Sequence, residues 1–217
     1  MPVALHWDEP PARHAAGAPI LVLAHGAGAG MDEPALDAIA RGVAAAGVRV
    51  ARFEFPYMAA RRADGRRRPP DREPVLLDTW RAVVAQLGGS GASPPGPRDL
   101  AIGGKSMGGR MASRVADELG VRALVCLGYP FHPPGAPERL RTAHLATLRT
   151  PTLIVQGTRD RVGTREEVAG YALSPAIEIA WIEDGDHGFA PRRGSGRTRA
   201  RNLAEVAARV AAFVLRR

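Results

Sequence analysis

Short apolar runs of strand length alternate along this chain with amphipathic segments of helix length. That alternation restricts the fold to an α/β domain built on a mostly parallel sheet, with helical crossovers covering both faces. The runs are Ile20–Ala24, 48–53, 100–102, Ala123–Leu127, Thr152–Gly157 and Ile177–Ile182. Between the first two, Leu36, Ile39, Ala40 and Val43 share one helical face over 33–46, with Asp32 as the expected N-cap, Pro34 in the first turn and Gly47 as terminator. A long loop follows Phe53. Leu76, Leu77, Trp80, Val83, Val84 and Leu87 then mark a helix that stops at Gly88 and Gly89. A further helix follows residue 106, with Met111, Val115 and Leu119 inward, and a closing helix carries Leu203, Val206, Val210, Phe213 and Val214 on one face. The Gly-, Ser- and Pro-rich stretch 88–97 reads as a surface loop and not as an interdomain linker, because the strand after it belongs to the same sheet.

With 217 residues, 45% of them hydrophobic, the chain suits one substantial core and a single domain over 1–217. No apolar run approaches the roughly 20 residues of a membrane span. An N-terminus carrying Asp8, Glu9 and several prolines does not read as a secretory signal, so the expected location is the cytoplasm, with no membrane partner. Cys126 is the only cysteine, which excludes an internal disulfide and a cysteine metal site, and its apolar run makes it a packing residue. The net charge is +8, yet of the 30 basic residues only Lys105 is a lysine; such one-sided usage points to coding bias. With 5% aromatics and no recognition-helix, finger or stacking motif, specific nucleic-acid binding is not expected.

The chemistry centres on Gly104-Lys105-Ser106-Met107-Gly108, which lies directly after a strand and directly before a helix. A sharp strand-to-helix turn exposes a nucleophilic side chain, and glycines at 104 and 108 avoid collision with the neighbouring strand or helix. Serine needs a base to take its proton and an acid to hold that base in one tautomer. Of the six histidines, His187 alone follows the last strand, within Asp184-Gly185-Asp186-His187-Gly188-Phe189, where a loop can carry an imidazole over the strand ends. Asp160, just past Thr152–Gly157, is the candidate acid. Asp184 and Asp186 rank behind it because they share the short loop of His187, and the other role open to Asp160 is to cap a helix near 165–171. For the oxyanion that acyl transfer develops, the expected donors are the backbone N–H groups of Met107, at a helix start, and of Ala27, with Gly28 next. His25 reads as a residue that orders this loop. The run 25–30 lacks a Gly-Lys-Ser/Thr ending and the Gly-x-Gly-x-x-Gly spacing, so it does not read as a nucleotide phosphate loop.

With the order Ser106, Asp160, His187 in place, the sequence resembles the α/β-hydrolase superfamily over essentially its whole length. Within it, His25-Gly26-Ala27-Gly28-Ala29, Phe55-Pro56-Tyr57-Met58 and Gly103-Gly104-Lys105-Ser106-Met107-Gly108-Gly109-Arg110 look like the small group related to dienelactone hydrolases that includes the KANL3/Tex30-like hydrolase domains. The resemblance implies an α/β-hydrolase fold and a compact serine hydrolase of the carboxylesterase type, working through an acyl-serine intermediate with no cofactor and no metal. Serine stands where dienelactone hydrolases use cysteine. Only 128–150 is available for an inserted cap, so no large cap domain is expected; an open site then favours small or short-chain soluble esters. Tyr57, Met58, Tyr129 and Phe131 are the candidate pocket walls. Arg61, Arg62, Arg66, Arg67, Arg68 and Arg72, then Arg192, Arg193, Arg197, Arg199 and Arg201, form two clusters expected near the rim, read either as solvated arginines or as attractors of an anionic ligand. A non-enzymatic interaction module on this fold, or a thioesterase or peptidase, are the alternative functions.

Overall fold

A computed structural model describes residues 2–88 and 96–217; the 89–95 part of the expected surface loop, with Gly89 as helix stop, lies outside the described residues. In chain order the strands are β1 (Leu5–Asp8), β2 (Ile20–Ala24), β3 (Arg49–Phe53), β4 (Leu100–Lys105), β5 (Ala123–Leu127), β6 (Thr152–Gly157) and β7 (Ile177–Ile182). The helices are α1 (Ala12–Ala15), α2 (Pro34–Ala45), α3 (Pro56–Asp64), α4 (Glu73–Gly88), α5 (Met107–Leu119), α6 (Arg165–Val168) and α7 (Arg199–Leu215). The strands pair in the order β1-β3-β2-β4-β5-β6-β7. All neighbours are parallel except β1, which runs antiparallel to β3 with Leu5 opposite Phe53.

The strand interiors are apolar on both faces because helices cover both. Alternation along each strand sorts them: Leu21, Leu23, Val50, Val125 and Val155 join α2 and α7, while Val22, Phe53, Ile102, Leu124 and Ile154 join α4 and α5. Cys126 is fully buried in the second set, and burial pushes its thiol well above the usual range, as befits a packing residue.

Three elements are additions to the expected set: β1, α3 and the four-residue α1. β1 is too short to show a period, and α3 carries little apolar surface; its signals are Pro56 at the first helical position and Gly65 at its end, at φ 73°. The N-cap of α2 is Glu33 and not Asp32: the Glu33 carboxylate accepts from Leu36 N at 3.0 Å, while Asp32 pairs with Arg62 at 2.9 Å. The segment between β5 and β6 holds only a short 3-10 turn, Ala143–Thr147, so no cap domain covers this edge of the sheet.

A buried ion-pair hub ties β1 to β3 and α2. The Arg52 side chain is 2% exposed; it grips Asp8 with Nε at 2.8 Å and Nη2 at 3.0 Å, reaches Asp37 at 3.1 Å and donates to the Met31 carbonyl at 2.7 Å. Removing one partner strands the others away from water. Arg52→Ala is expected to destabilise the fold by about 3–5 kcal/mol, measured by urea denaturation; a loss below 1 kcal/mol would show that the hub relaxes freely.

Candidate active site

In the sheet order, β2 lies between β3 and β4, so the chain winds outward from β2 in one direction and then in the other. A crevice opens beyond the carboxyl ends of strands at such a reversal. The ends of β2 and β4 supply His25-Gly26 and Ser106 there.

Ser106 adopts φ 51° and ψ −114°, an unfavourable combination for a residue with a side chain, and opens α5 at once with Met107. The surrounding structure holds it: Ser106 N donates to Leu127 O at 2.9 Å, and its own carbonyl accepts from Arg110 N at 3.0 Å. The flanking glycines are needed for contact reasons. A Cβ on Gly108 would lie 2.6 Å from both the Ala24 and His25 carbonyl oxygens, and one on Gly104 would lie 3.0 Å from the Gly108 carbonyl carbon. α5 therefore packs directly against the end of β2.

Ser106, His187 and Asp160 form one hydrogen-bonded chain. Ser106 Oγ lies 3.0 Å from His187 Nε2, and His187 Nδ1 lies 2.8 Å from Asp160 Oδ2. The imidazole is 41% exposed and the carboxylate fully buried. Asp160 also accepts from Gln156 Nε2 at 3.0 Å and, through Oδ1, from Val162 N at 3.1 Å. Every one of these neighbours is a donor, so the site is built around a carboxylate. Gln156 is itself clamped, accepting from Tyr129 N at 2.8 Å and donating to Tyr129 O at 3.1 Å. An amide in the otherwise apolar run Thr152–Gly157 was the sequence signal for this support, and periodicity alone passes over it.

Asp184 and Asp186 serve the loop and not the imidazole. Asp184 takes Arg192 N at 2.7 Å and Arg192 Nε at 2.6 Å, and Asp186 Oδ1 takes Gly188 N at 2.8 Å and Ala190 N at 2.9 Å. Thr164, and not Asp160, caps α6.

Opposite the histidine lies the loop after β2. His25 is fully buried; its Nδ1 lies 2.7 Å from Gly26 O, and Phe55 N donates to its Nε2 at 3.1 Å. These partners require a neutral ring protonated at Nδ1, and burial holds its pKa below the ordinary value. Tyr57 donates its hydroxyl toward Ala27 O at 2.9 Å, with Gly26 O at 3.3 Å. Neither Ala27 N nor Met107 N donates to another group among the described residues.

A cavity of about 430 Å³ opens at Ser106, His187, Met107 and Ala27, walled by Pro70, Leu76, Met111, Pro130, Pro134 and Val162, with Asp71, Glu73, Arg110 and Arg141 among them. None of the four expected pocket residues lines it. Tyr57 and Met58 are buried beneath the β2 loop, Tyr129 turns inward to donate to Arg141 O at 2.9 Å, and Phe131 stacks edgewise on Tyr129 with ring centroids 4.9 Å apart. Many of the clustered arginines are paired: Arg62 with Glu54 at 2.7 Å, Arg68 with Asp64, Arg192 with Asp184, Arg197 with Glu205 and Arg199 with Glu33. Among the described residues no group of three or more His, Cys, Asp or Glu is placed to hold a metal ion, and no helix is long and apolar enough to cross a membrane.

Three solved structures show the same fold. A lidless α/β serine hydrolase from Xanthomonas campestris is 19% identical, with a TM-score of 0.70 over 98% of this chain and 88% of that one. The dienelactone hydrolase from Anabaena variabilis is 21% identical, with a TM-score of 0.71 over 98% and 90%. Est1E from Butyrivibrio proteoclasticus is 15% identical, with a TM-score of 0.71 over 100% and 97%. A family model for the alpha/beta hydrolase domain matches residues 17–215, from just before β2 to the end of α7, and the chain therefore belongs to the alpha/beta hydrolase family.

Proposed function

We propose that this single-domain chain is a serine hydrolase of the carboxylesterase type, related to the dienelactone-hydrolase-like group that includes the KANL3/Tex30-like domains. The observation that carries the reading is the unbroken chain from Ser106 Oγ through His187 to buried Asp160, at 3.0 and 2.8 Å. Ser106 attacks the ester carbonyl carbon as His187 Nε2 takes its proton. The oxyanion formed is received by the N–H groups of Met107 and Ala27. His187 then returns the proton to the leaving alcohol as the C–O bond breaks, and water repeats the cycle on the acyl-serine. Asp160 holds Nδ1–H and stabilises the imidazolium. Serine in place of cysteine sets the chain apart from dienelactone hydrolases proper and argues against lactone specificity. A complete, hydrogen-bonded set of groups argues against a non-enzymatic module, in which such positions are free to decay.

Without a cap domain, the cavity at Ser106 shields little of a long chain from water, so small or short-chain soluble esters are the expected substrates. The test is a fluorophosphonate probe followed by p-nitrophenyl esters from acetyl to palmitoyl and matched thioesters. Labelling of the wild type and a rate maximum at short acyl chains are expected. A profile that climbs steadily to palmitoyl overturns the substrate class, and no labelling of folded protein overturns the activity.

A further inference from the structure

The loop after β2 presents more donors than one oxyanion needs. Three successive carbonyls are held on the side of α3: Gly26 O by His25 Nδ1 at 2.7 Å, Ala27 O by Tyr57 Oη at 2.9 Å, and Gly28 O by Arg61 Nη1 at 3.3 Å. Across a planar trans peptide, the C=O of one residue and the N–H of the next point in opposite directions. Pinning these carbonyls therefore turns the N–H groups of Ala27, Gly28 and Ala29 to the other side, and none of them donates to a protein group among the described residues. Successive N–H groups facing one way form an anion-binding concavity.

The cavity they face, about 400 Å³, is also lined by Lys105, Ser106, His187 and Gly188. Lys105, the chain's only lysine, has no ion-pair or hydrogen-bond partner among the described residues. Its Nζ lies beside the imidazole: a Cβ built on Gly128 would meet Nζ at 3.0 Å and His187 Nδ1 at 3.4 Å, and Nζ stands 5.7 Å from the Phe189 ring centroid. Burial lowers this ammonium to about 8, against the weaker opposing attraction of Asp160, Glu33 and Asp186. A second cavity shares His187 and Gly188 with the first and adds Arg159, Arg161 and Arg199, of which Arg161 is exposed and has no ion-pair partner among the described residues. Basic side chains outnumber acidic ones here: Lys105, Arg159, Arg161 and Arg199 against Glu33 and Asp186. Pairing removes groups of both signs: Glu33 is committed to its cap and to Arg199, Arg159 to Asp184, and Asp186 to backbone N–H groups, which leaves Lys105 and Arg161 as the cations without an ion-pair or hydrogen-bond partner among the described residues. The cavity across Ser106 is balanced, with Arg110 and Arg141 against Asp71 and Glu73.

We propose that this basic side is a subsite for a phosphate carried by the leaving group of the ester, bound by the N–H groups of Gly28 and Ala29, the Lys105 ammonium and, at the rim, Arg161. Ala27 N–H remains with the reacting carbonyl. A phosphate monoester suits this set better than a carboxylate because donors borne on separate segments, two backbone N–H groups, an ammonium and a guanidinium, match a tetrahedral group with three free oxygens better than a planar group with two. The placement beside His187 assigns the charge to the leaving alcohol, since that imidazole must reach the departing oxygen. The inference rests on the ester-hydrolase reading above.

The test compares butyryl esters of phenol, 4-hydroxybenzoate and 4-hydroxyphenyl phosphate in wild type, Lys105→Met and Arg161→Gln. Intrinsic leaving-group reactivity cancels when the phosphate-to-neutral ratio of kcat/KM in wild type is divided by that in each variant. A quotient of at least about tenfold is expected for Lys105→Met, and a smaller one for Arg161→Gln. Equal ratios in all three proteins overturn the subsite, and a carboxylate ester preferred to the phosphate ester overturns its assignment. Titration calorimetry with inorganic phosphate on Ser106→Ala protein reads the subsite without turnover: binding is expected, and its loss in the Ser106→Ala/Lys105→Met double variant. Arg161→Gln in the same assay guards against a folding defect in that double variant. Failure of the hydrolase reading leaves this binding intact, whereas failure of the subsite removes it and leaves hydrolysis of the phenyl ester.

Discussion

Replacing Ser106 by alanine is expected to lower kcat on a short-chain p-nitrophenyl ester by about a millionfold, the scale of losing an entire nucleophile, and to abolish fluorophosphonate labelling. The reason is positional. Ser106 alone occupies the elbow between β4 and α5, with its Oγ 3.0 Å from His187 Nε2, and among the described residues no other side-chain hydroxyl borders these cavities around His187. Ser106 N and O are held through the backbone at 2.9 and 3.0 Å, so the turn persists when the hydroxyl is removed. Stability is therefore expected to change by no more than about 0.5 kcal/mol, and thermal unfolding in the same buffer separates loss of chemistry from loss of fold. KM for the residual rate is expected to stay within a few-fold of wild type, because the cavity walls are untouched. Residual turnover above about one per cent of wild type would place the nucleophile elsewhere.

What could be read from the residues, and what could not, divides along a physical line. That Ser106, Asp160 and His187 meet was legible because each is tied to a local element and the elements come in an order that a parallel sheet brings to one edge. The α2 cap slipped by one residue, since Asp32 and Glu33 both offer a carboxylate and only the three-dimensional position of Arg62 decides which is drawn away. The pocket walls failed for a sharper reason. Tyr129 and Phe131 lie in the right loop but face inward, while Pro130 between them lines the cavity. In extended chain, successive side chains point to opposite sides, so an error of one residue exchanges wall for core. The tyrosine is set by partners remote in sequence, its backbone N and O by Gln156 and its hydroxyl by Arg141 O, contacts that no window of neighbouring residues contains. The β2 loop shows the same limit. His25 was legible as a residue that orders the loop, yet the pinning of Ala27 and Gly28 comes from Tyr57 and Arg61 on α3, an element whose apolar content was too low to announce itself.

The arrangement around Asp160 makes its own amide variant the most discriminating change after Ser106. Asp160→Asn is nearly isosteric, yet the carboxylate it replaces accepts from His187 Nδ1, Gln156 Nε2 and Val162 N, all donors. An asparagine amide cannot satisfy this set in either orientation. With its NH₂ toward Val162, two donors face each other in a fully buried site. With its NH₂ toward His187 and Gln156, the imidazole must accept at Nδ1 and carry its proton on Nε2, where it can no longer take one from Ser106. Gln156 cannot rotate to help, because its Oε1 is bound to Tyr129 N at 2.8 Å. One orientation leaves a buried donor unpaired, the other imposes the wrong tautomer as well, and both remove the charge that stabilises the imidazolium. The expected outcome is a fall in kcat of roughly 10⁴-fold with little change in KM, together with a stability loss of about 1–3 kcal/mol from the unsatisfied donor, so assays belong well below the unfolding transition. Asp184→Asn and Asp186→Asn are the matched controls: their carboxylates serve Arg192 and the loop backbone, and each is expected to lower kcat less than about a hundredfold. If either control costs more than Asp160→Asn, the acid has been misassigned, because a residue that only shapes the His187 loop displaces the imidazole but leaves its tautomer and its counter-charge in place.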